Sequence, residues 1–203
     1  MFRSVPVELL RSLRLTLVIA GLTGLLYPLA VTGVSQVAFN RQANGSLITR
    51  NGQVVGSSLI GQRFTEARYF HGRPSATVDA GTGRPRPYAA DNSAGSNLAP
   101  SSQALADRVA KDVRAVRQEN GLAPDAQVPV DLVTTDFSGV DPDVSEASAL
   151  LQVDRVAGAR GLDPARVRAL VEAHVHGRVL WLFGEPHVDV LEMNLALDSG
   201  EAG

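Results

Sequence analysis

The sequence predicts an α+β protein with one N-terminal transmembrane helix followed by a small soluble domain of antiparallel β-hairpins and about three helices. Three observations carry that reading. The stretch from Leu15 to Asn40, "LTLVIAGLTGLLYPLAVTGVSQVAFN", has no charged residue and exceeds the roughly 20 apolar residues that a helix needs to cross a bilayer. Asn51-Gly52 lies between two β-prone runs in "SLITRNGQVVGSSLIG", the strongest short-range signature of a hairpin. Asp-Pro pairs at Asp141-Pro142 and Asp163-Pro164 each open an apolar run that closes on a glycine. That pattern fits a capped helix with proline in its first turn, where the missing N–H costs nothing.

The span is expected to be retained as an anchor, because a cleaved signal peptide has an apolar core of only roughly 7 to 15 residues and a small-residue cleavage site. Arg3, Arg11 and Arg14 precede it against a single Glu8, so the positive-inside rule puts residues 1–14 in the cytoplasm, 15–39 across the membrane and 40–203 on the outer side. Within the span Thr16, Ala20, Gly24, Pro28, Thr32 and Gln36 recur every four residues. Such a slanted ridge of small or polar groups suits close packing with a neighbouring helix, which makes Ala20, Gly24, Pro28, Thr32 and Gln36 candidate partner contacts. No ionisable residue interrupts the span, so this helix is a poor candidate for moving ions itself.

Beyond the hairpin, residues 63–102 are rich in Gly, Pro, Ser and Asn but carry Phe64, Tyr69, Phe70 and Tyr88, anchors that argue for an ordered loop. A helix is predicted over 102–119, with Leu105, Val109, Val113 and Val116 on one face and Asn120-Gly121 as its stop. "VPVDLVTT" (128–135) reads as a strand. Helices are expected over 142–160 and 164–176, followed by a strand, a Gly-Glu-Pro turn and a second strand at the C-terminus. No internal repeat and no second soluble domain is evident.

Composition excludes several function classes. With 19 Lys+Arg against 21 Asp+Glu there is no basic excess for nucleic acid, and the absence of cysteine removes disulfides, thiolate metal sites and a Cys nucleophile. Ser138, Gly139 and Asp141, ahead of a predicted helix, could offer backbone N–H groups to an anion. No lysine accompanies them as in a Walker loop, so a capped corner is the simpler reading. His174 and His176 do not share a helix face, and neither "GSSLIG" nor "NSAGSN" forms a nucleophile elbow. The residues thus offer no catalytic set, no metal site and no cofactor site of their own. An anchored ligand-binding or sensor domain and an envelope hydrolase stay open as other readings.

Eight stretches in order resemble the KdpC family, the C subunit of the bacterial Kdp potassium-transporting ATPase. They are "YPLAVTG" (27–33), "QANGSL" (42–47), "GSSLIGQRF" (56–64), "YFHGRPSA" (69–76), "GSNLAP" (95–100), "DLVTTDFSGVDPDVS" (131–145), "QVDRVAGARG" (152–161) and "HVDVLEMNLALD" (187–198). Val140, Ala89 and His187 stand where that family usually has Leu, Asn and Asn. The resemblance implies an accessory subunit of an ATP-driven potassium pump in the cell membrane. Its partners would be a channel-like potassium-translocating subunit, a P-type ATPase subunit that hydrolyses ATP, and a small membrane peptide. It also implies a catalytic-chaperone role that raises ATP affinity, with Gln152 at the position of a glutamine proposed to help hold the nucleotide, just downstream of Ser138, Gly139 and Asp141. An outward domain does not meet cytoplasmic ATP, so such an effect would be passed through partners. Tyr69, Phe70, Arg73 and Asn97, in the shared stretches, join the helix ridge as candidate partner contacts, and Asp141 as a residue of fold or interface.

Overall fold

A computed structural model describes residues 5–200; Arg3 and residues 201–203 of the expected outer segment lie outside the described residues. The chain divides into two compact units, Met1–Leu47 and Ile48–Gly203.

The first unit is helical from Val5 to Ala38, beginning well ahead of Leu15. α1 (Val5–Gly21) passes through a widened π turn (Leu22–Leu26) into α2 (Tyr27–Ala38). The cause is Pro28, which has no N–H to offer and whose ring would crowd the preceding turn. The Tyr27 N–H instead reaches back to the Leu22 carbonyl, and the Thr23 hydroxyl donates to the Ile19 carbonyl. A π turn of this kind bends a helix, so the four-residue ridge is interrupted between Gly24 and Pro28. Phe39 leaves helical geometry (φ −136°) ahead of the short α3 (Asn40–Ala43). There the Gln36 carboxamide accepts from Asn40 Nδ2 (3.1 Å) and Asn44 Nδ2 (3.1 Å), tying off the end of the span with side-chain amides.

The second fold unit opens with the expected hairpin. β1 (Leu47–Arg50) and β2 (Gln53–Ser57) are joined by Asn51 and Gly52 at φ 51° and 78°, the left-handed pair that matches strand twist. The long segment after it is irregular yet ordered, with Phe70 only 1% exposed. α4 (Gln103–Glu119) lies as expected, its Leu105, Val109, Val113 and Val116 half-buried and none of its residues fully so.

Three sequence expectations fail from here on, the first two because a distant partner takes the polar group that the local pattern assigned. "VPVDLVTT" contains a 3-10 turn at Val130–Leu132 and no strand. Pro129 cannot donate to a ladder, and Asp131 Oδ2 accepts from the Ser145 N–H (2.7 Å) while its Oδ1 accepts from the Ser148 hydroxyl (2.6 Å). Asp141 does not cap a helix either. It accepts from Arg73 Nη1 (3.0 Å) and from the Asp143 N–H (3.0 Å), and the chain continues as β3 (Asp143–Ser145). Ser145 is the true cap, accepting from the Ser148 N–H at the start of α5 (Glu146–Leu151). A break at Gln152 then leads into α6 (Val153–Arg160), which closes on Gly161 at φ 68°.

Asp163-Pro164 behaves as predicted, with the Asp163 carboxylate accepting from the Ala165 N–H at the head of α7 (Pro164–Ala173). α7 stops before His176, which exchanges backbone hydrogen bonds with His187. The expected final strand is mostly helix: β4 (His187–Asp189) is followed at once by α8 (Val190–Ser199), capped by Asp189. Val190, Leu191, Met193, Asn194, Ala196 and Leu197 are all buried, a helical and not an alternating period. β3 and β4 pair antiparallel, Val144 opposite Val188. In each, the last strand residue is the cap of the helix that follows. Phe70, Val144, Val153, Val156, Val167 and Met193 belong to the apolar core around this ladder.

Candidate functional site

The polar chemistry of the second unit gathers on residues 66–73, "EARYFHGR". Two buried side-chain amides hold this segment as a neighbouring strand would. Asn194 of α8 accepts from the Phe70 N–H (2.8 Å) and donates to the Phe70 carbonyl (2.9 Å). Gln152, at the break between α5 and α6, accepts from the His71 N–H (2.8 Å) and donates to the His71 carbonyl (3.1 Å). Two arginines of α6 complete the hold. Arg155 donates to the Ala67 and Tyr69 carbonyls (2.6 and 2.9 Å) and to Gln152 Oε1 (2.6 Å). Arg160 donates to the Arg68 carbonyl (2.6 Å) and Asp198 (2.8 Å). The Tyr69 hydroxyl donates to Asp198 (2.9 Å), and its ring carries the guanidinium groups of Arg68 and Arg160 at 4.8 and 5.0 Å.

Beside this segment is a cleft of about 460 Å³ lined by Arg63, His71, Arg73, Tyr88, Glu119 and Gln152 among others. Its charges are largely committed. His71 Nδ1 lies 2.9 Å from Glu119, and that hydrogen bond holds the Glu119 carboxyl below its ordinary range against the opposing effect of burial. Tyr88 is pushed far above its ordinary range by burial and donates to the Arg73 carbonyl (2.7 Å). Burial lowers the Arg155 guanidinium from its ordinary value. Among the described residues no group of three or more His, Cys, Asp or Glu could hold a metal ion.

The Ser138-Gly139-Asp141 corner lies outside this cleft and carries its own anion. Asp136 accepts from the Ser138 hydroxyl (2.8 Å), from the Gly139 N–H, and from the Asp141 N–H (3.4 Å). The donors that a phosphate would need are thus turned onto a carboxylate of the same loop. Gly139 sits at φ 70°, where a Cβ would meet Thr77 Cγ2 at 2.4 Å. The corner is tied by Ser75, whose hydroxyl donates to the Gly139 carbonyl (2.6 Å).

Of the residues singled out from sequence, the structure brings Gln152 and Arg73 to one cleft. Asn97, at φ 52°, borders a separate cleft of about 210 Å³ with Arg108 and Phe137. Gln152 is 1% exposed and its amide is hydrogen-bonded at both ends. Phe70 is core, so its ring serves the fold and offers no contact surface. Sequence reasoning missed Asn194, Arg155 and Arg160; the only local sign is a polar residue placed on otherwise apolar or small helical faces.

The profile of the family described as K+-transporting ATPase, c chain, matches residues 9–199. The chain belongs to the KdpC family. It is 54% identical over 199 residues to the potassium-transporting ATPase KdpC subunit of Rhodopseudomonas palustris (strain BisB18), an alignment that covers 96% of this chain and 98% of that one. It is 57% identical over 199 residues to the KdpC subunit of Methylobacterium nodulans, covering 94% and 98%. For that of Bradyrhizobium diazoefficiens the identity is 52% over 200 residues, covering 96% and 98%. In this KdpC chain one helix long and apolar enough to span a membrane and an α+β unit after it are both present, and its membership makes it a membrane-anchored subunit of a potassium-transporting ATPase.

One titrating site sits at the base of the KdpC ladder. Asp189 faces Asp143 across β3 and β4, and burial pushes its carboxyl up from 3.8 to about 6. Asp143 is raised by burial as well, with His187, 3.8 Å away, pulling it down.

Two outcomes are expected. Gln152→Leu leaves the His71 N–H buried without a partner, so the full chain should lose about 1–3 kcal/mol in urea unfolding. An unchanged midpoint would show that the amide clamp is dispensable. For Asp189 the folded pKa lies above the unfolded one, so the folded state holds the proton more tightly. Its contribution to stability is therefore full at low pH and is lost as pH rises from 3.8 to about 6, a fall of no more than about 2 kcal/mol after solvent screening. Asp189→Asn keeps a good cap and should flatten that part of the stability–pH curve. The same slope in the variant would assign it to other groups.

Proposed function

We propose that this chain is a non-catalytic accessory subunit of an ATP-driven potassium uptake pump in the cell membrane. It holds together a channel-like potassium-translocating subunit, a P-type ATPase subunit and a small membrane peptide. The observation that carries the reading is the commitment of its motif residues to the chain itself. Gln152, Asn194 and Arg155 direct hydrogen bonds onto residues 67–71, and Asp136 fills the Ser138-Gly139-Asp141 corner. A domain arranged in this way is suited to present a rigid surface and not to perform chemistry. The names of the relatives, potassium-transporting ATPase KdpC subunit, support the same assignment.

In this reading the chain has no cofactor of its own and meets ATP only through the ATPase subunit. Any chaperone effect on ATP affinity is a coupling free energy passed through packed partners. The satisfied amide of Gln152 supports an indirect role, since a nucleotide would have to displace bonds that hold the core. The N-terminus lies in the cytoplasm and residues 40–203 outside. Contacts come from Ala20, Gly24, Pro28, Thr32 and Gln36 on the span, and from Tyr69, Arg73 and Asn97 on the outer domain. A Cβ at Gly24 meets nothing within 4 Å, which leaves that position open for a neighbouring helix.

Affinity purification of the intact chain should recover the ATPase and channel-like subunits, and Gly24→Leu should reduce that recovery. Normal recovery would remove the ridge from the account, and failure of the unaltered chain to recover either subunit would remove the assembly role. Phe137 is 96% exposed and the chain has no cysteine, so Phe137→Cys reports sidedness. A membrane-impermeant thiol reagent should label it in intact cells. Labelling only after the membrane is opened would place the domain in the cytoplasm and restore direct nucleotide contact as the leading mechanism.

A further inference from the structure

Between α7 and β4 the chain makes a second, short hairpin that packs on nothing. His176 and His187 exchange backbone hydrogen bonds at its base (2.8 and 3.1 Å), and Val179 and Phe183 do so near its tip (2.8 and 2.9 Å). The tip is "VLWLF", with Val179, Leu180, Trp181, Leu182 and Phe183 exposed by 66, 72, 92, 69 and 60%. Leu180 and Trp181 both hold positive φ (52° and 59°), a region that bulky residues rarely enter without a functional reason. Folding of the domain gains nothing from keeping these side chains in water.

The geometry points to a membrane-dipping hairpin: the 179–183 tip inserts end-on into the interfacial layer of the bilayer in which this same chain is anchored. Four features favour lipid as the occupant. First, both faces of the tip are apolar; a flat protein surface would cover one of them, whereas a bilayer closes around both. Second, lipid demands that backbone polar groups be satisfied internally, and four of the five N–H groups of 179–183 are. The N–H groups of Val179, Trp181, Leu182 and Phe183 all donate to carbonyls within the hairpin.

Third, charge is confined to the base. No ionisable residue lies between Arg178 and Glu185, which pair with each other at 2.5 Å, so headgroup-level charge sits beneath an aromatic and aliphatic point as in interfacial anchors. Fourth, the domain is on a short leash. The segment from Ala38, where the helical span ends, to Leu47, where β1 begins, reaches at most about 30 Å even fully extended. The membrane is thus always within reach of the domain, on whichever side it stands. The inference depends on the anchoring of the chain and not on its work in the pump.

Trp181 is the sole tryptophan of the chain, so its emission reads the tip directly. The full-length protein is reconstituted into phosphatidylcholine vesicles, with or without bromine on the upper acyl chain. Trp181 should then emit at short wavelength, lose intensity to the brominated lipid and resist acrylamide. Leu182→Asp should reverse all three while far-UV circular dichroism stays unchanged, and Leu180→Asp should do the same from the other face of the tip. Long-wavelength emission that is open to acrylamide and untouched by brominated lipid would overturn the proposal. So would a tip that becomes protected only when the other pump subunits are present, since that would seat it in a protein pocket.

Discussion

The α+β domain depends on the clamping of two successive peptide groups, Phe70 and His71, by the side-chain amides of Asn194 and Gln152. The two amides come from elements far apart in sequence, and each supplies the donor and acceptor that a strand neighbour would. A long segment without regular structure would otherwise carry buried N–H and C=O groups with no partner, a cost that excludes such segments from most interiors. With the clamp in place Phe70 can fill the core. Gln152 also sits where α5 gives way to α6, so the helical break and the pinned loop arise from the same residue.

The remainder of the domain reuses one device. β3 and β4 are each three residues long and end in the residue that caps the following helix, Ser145 for α5 and Asp189 for α8. Such short strands bury little by themselves; their role is to fix the entry of two core helices side by side. Asp131 reinforces one entry by gathering the Ser145 N–H and the Ser148 hydroxyl. Asp189, buried beside Asp143, makes the other entry sensitive to protons.

This architecture turns many polar groups inward onto the chain, while the 179–183 hairpin, Val130 and Phe137 leave apolar side chains exposed. Membership of the KdpC family gives that inversion a setting. In the proposed reading, such a subunit contributes through the surfaces it presents. A rigid surface suits that proposed role, and the arginine and amide network around residues 66–73 fixes a loop that would otherwise lose entropy on binding a partner.

Signals confined to a few neighbouring residues were legible in the amino-acid sequence. The uncharged span, the Asn51-Gly52 turn, the Asp163-Pro164 cap and the apolar face of α4 each follow from backbone sterics, local hydrogen bonding or helical period, and all four stand in the structure. The ordered motifs likewise carried the family. Tertiary structure decided the rest wherever a polar side chain had two possible partners. Asp141 had the same local credentials as Asp163, but Arg73, remote in sequence, took its carboxylate. "VPVDLVTT" had strand propensity, but Asp131 was drawn to Ser145 and Ser148. The resemblance placed Gln152 beside a nucleotide, but nothing nearby in sequence could announce His71 as the partner that holds its amide. A sequence by itself determines which hydrogen bonds a residue can make; only the fold brings up the distant group that wins the competition.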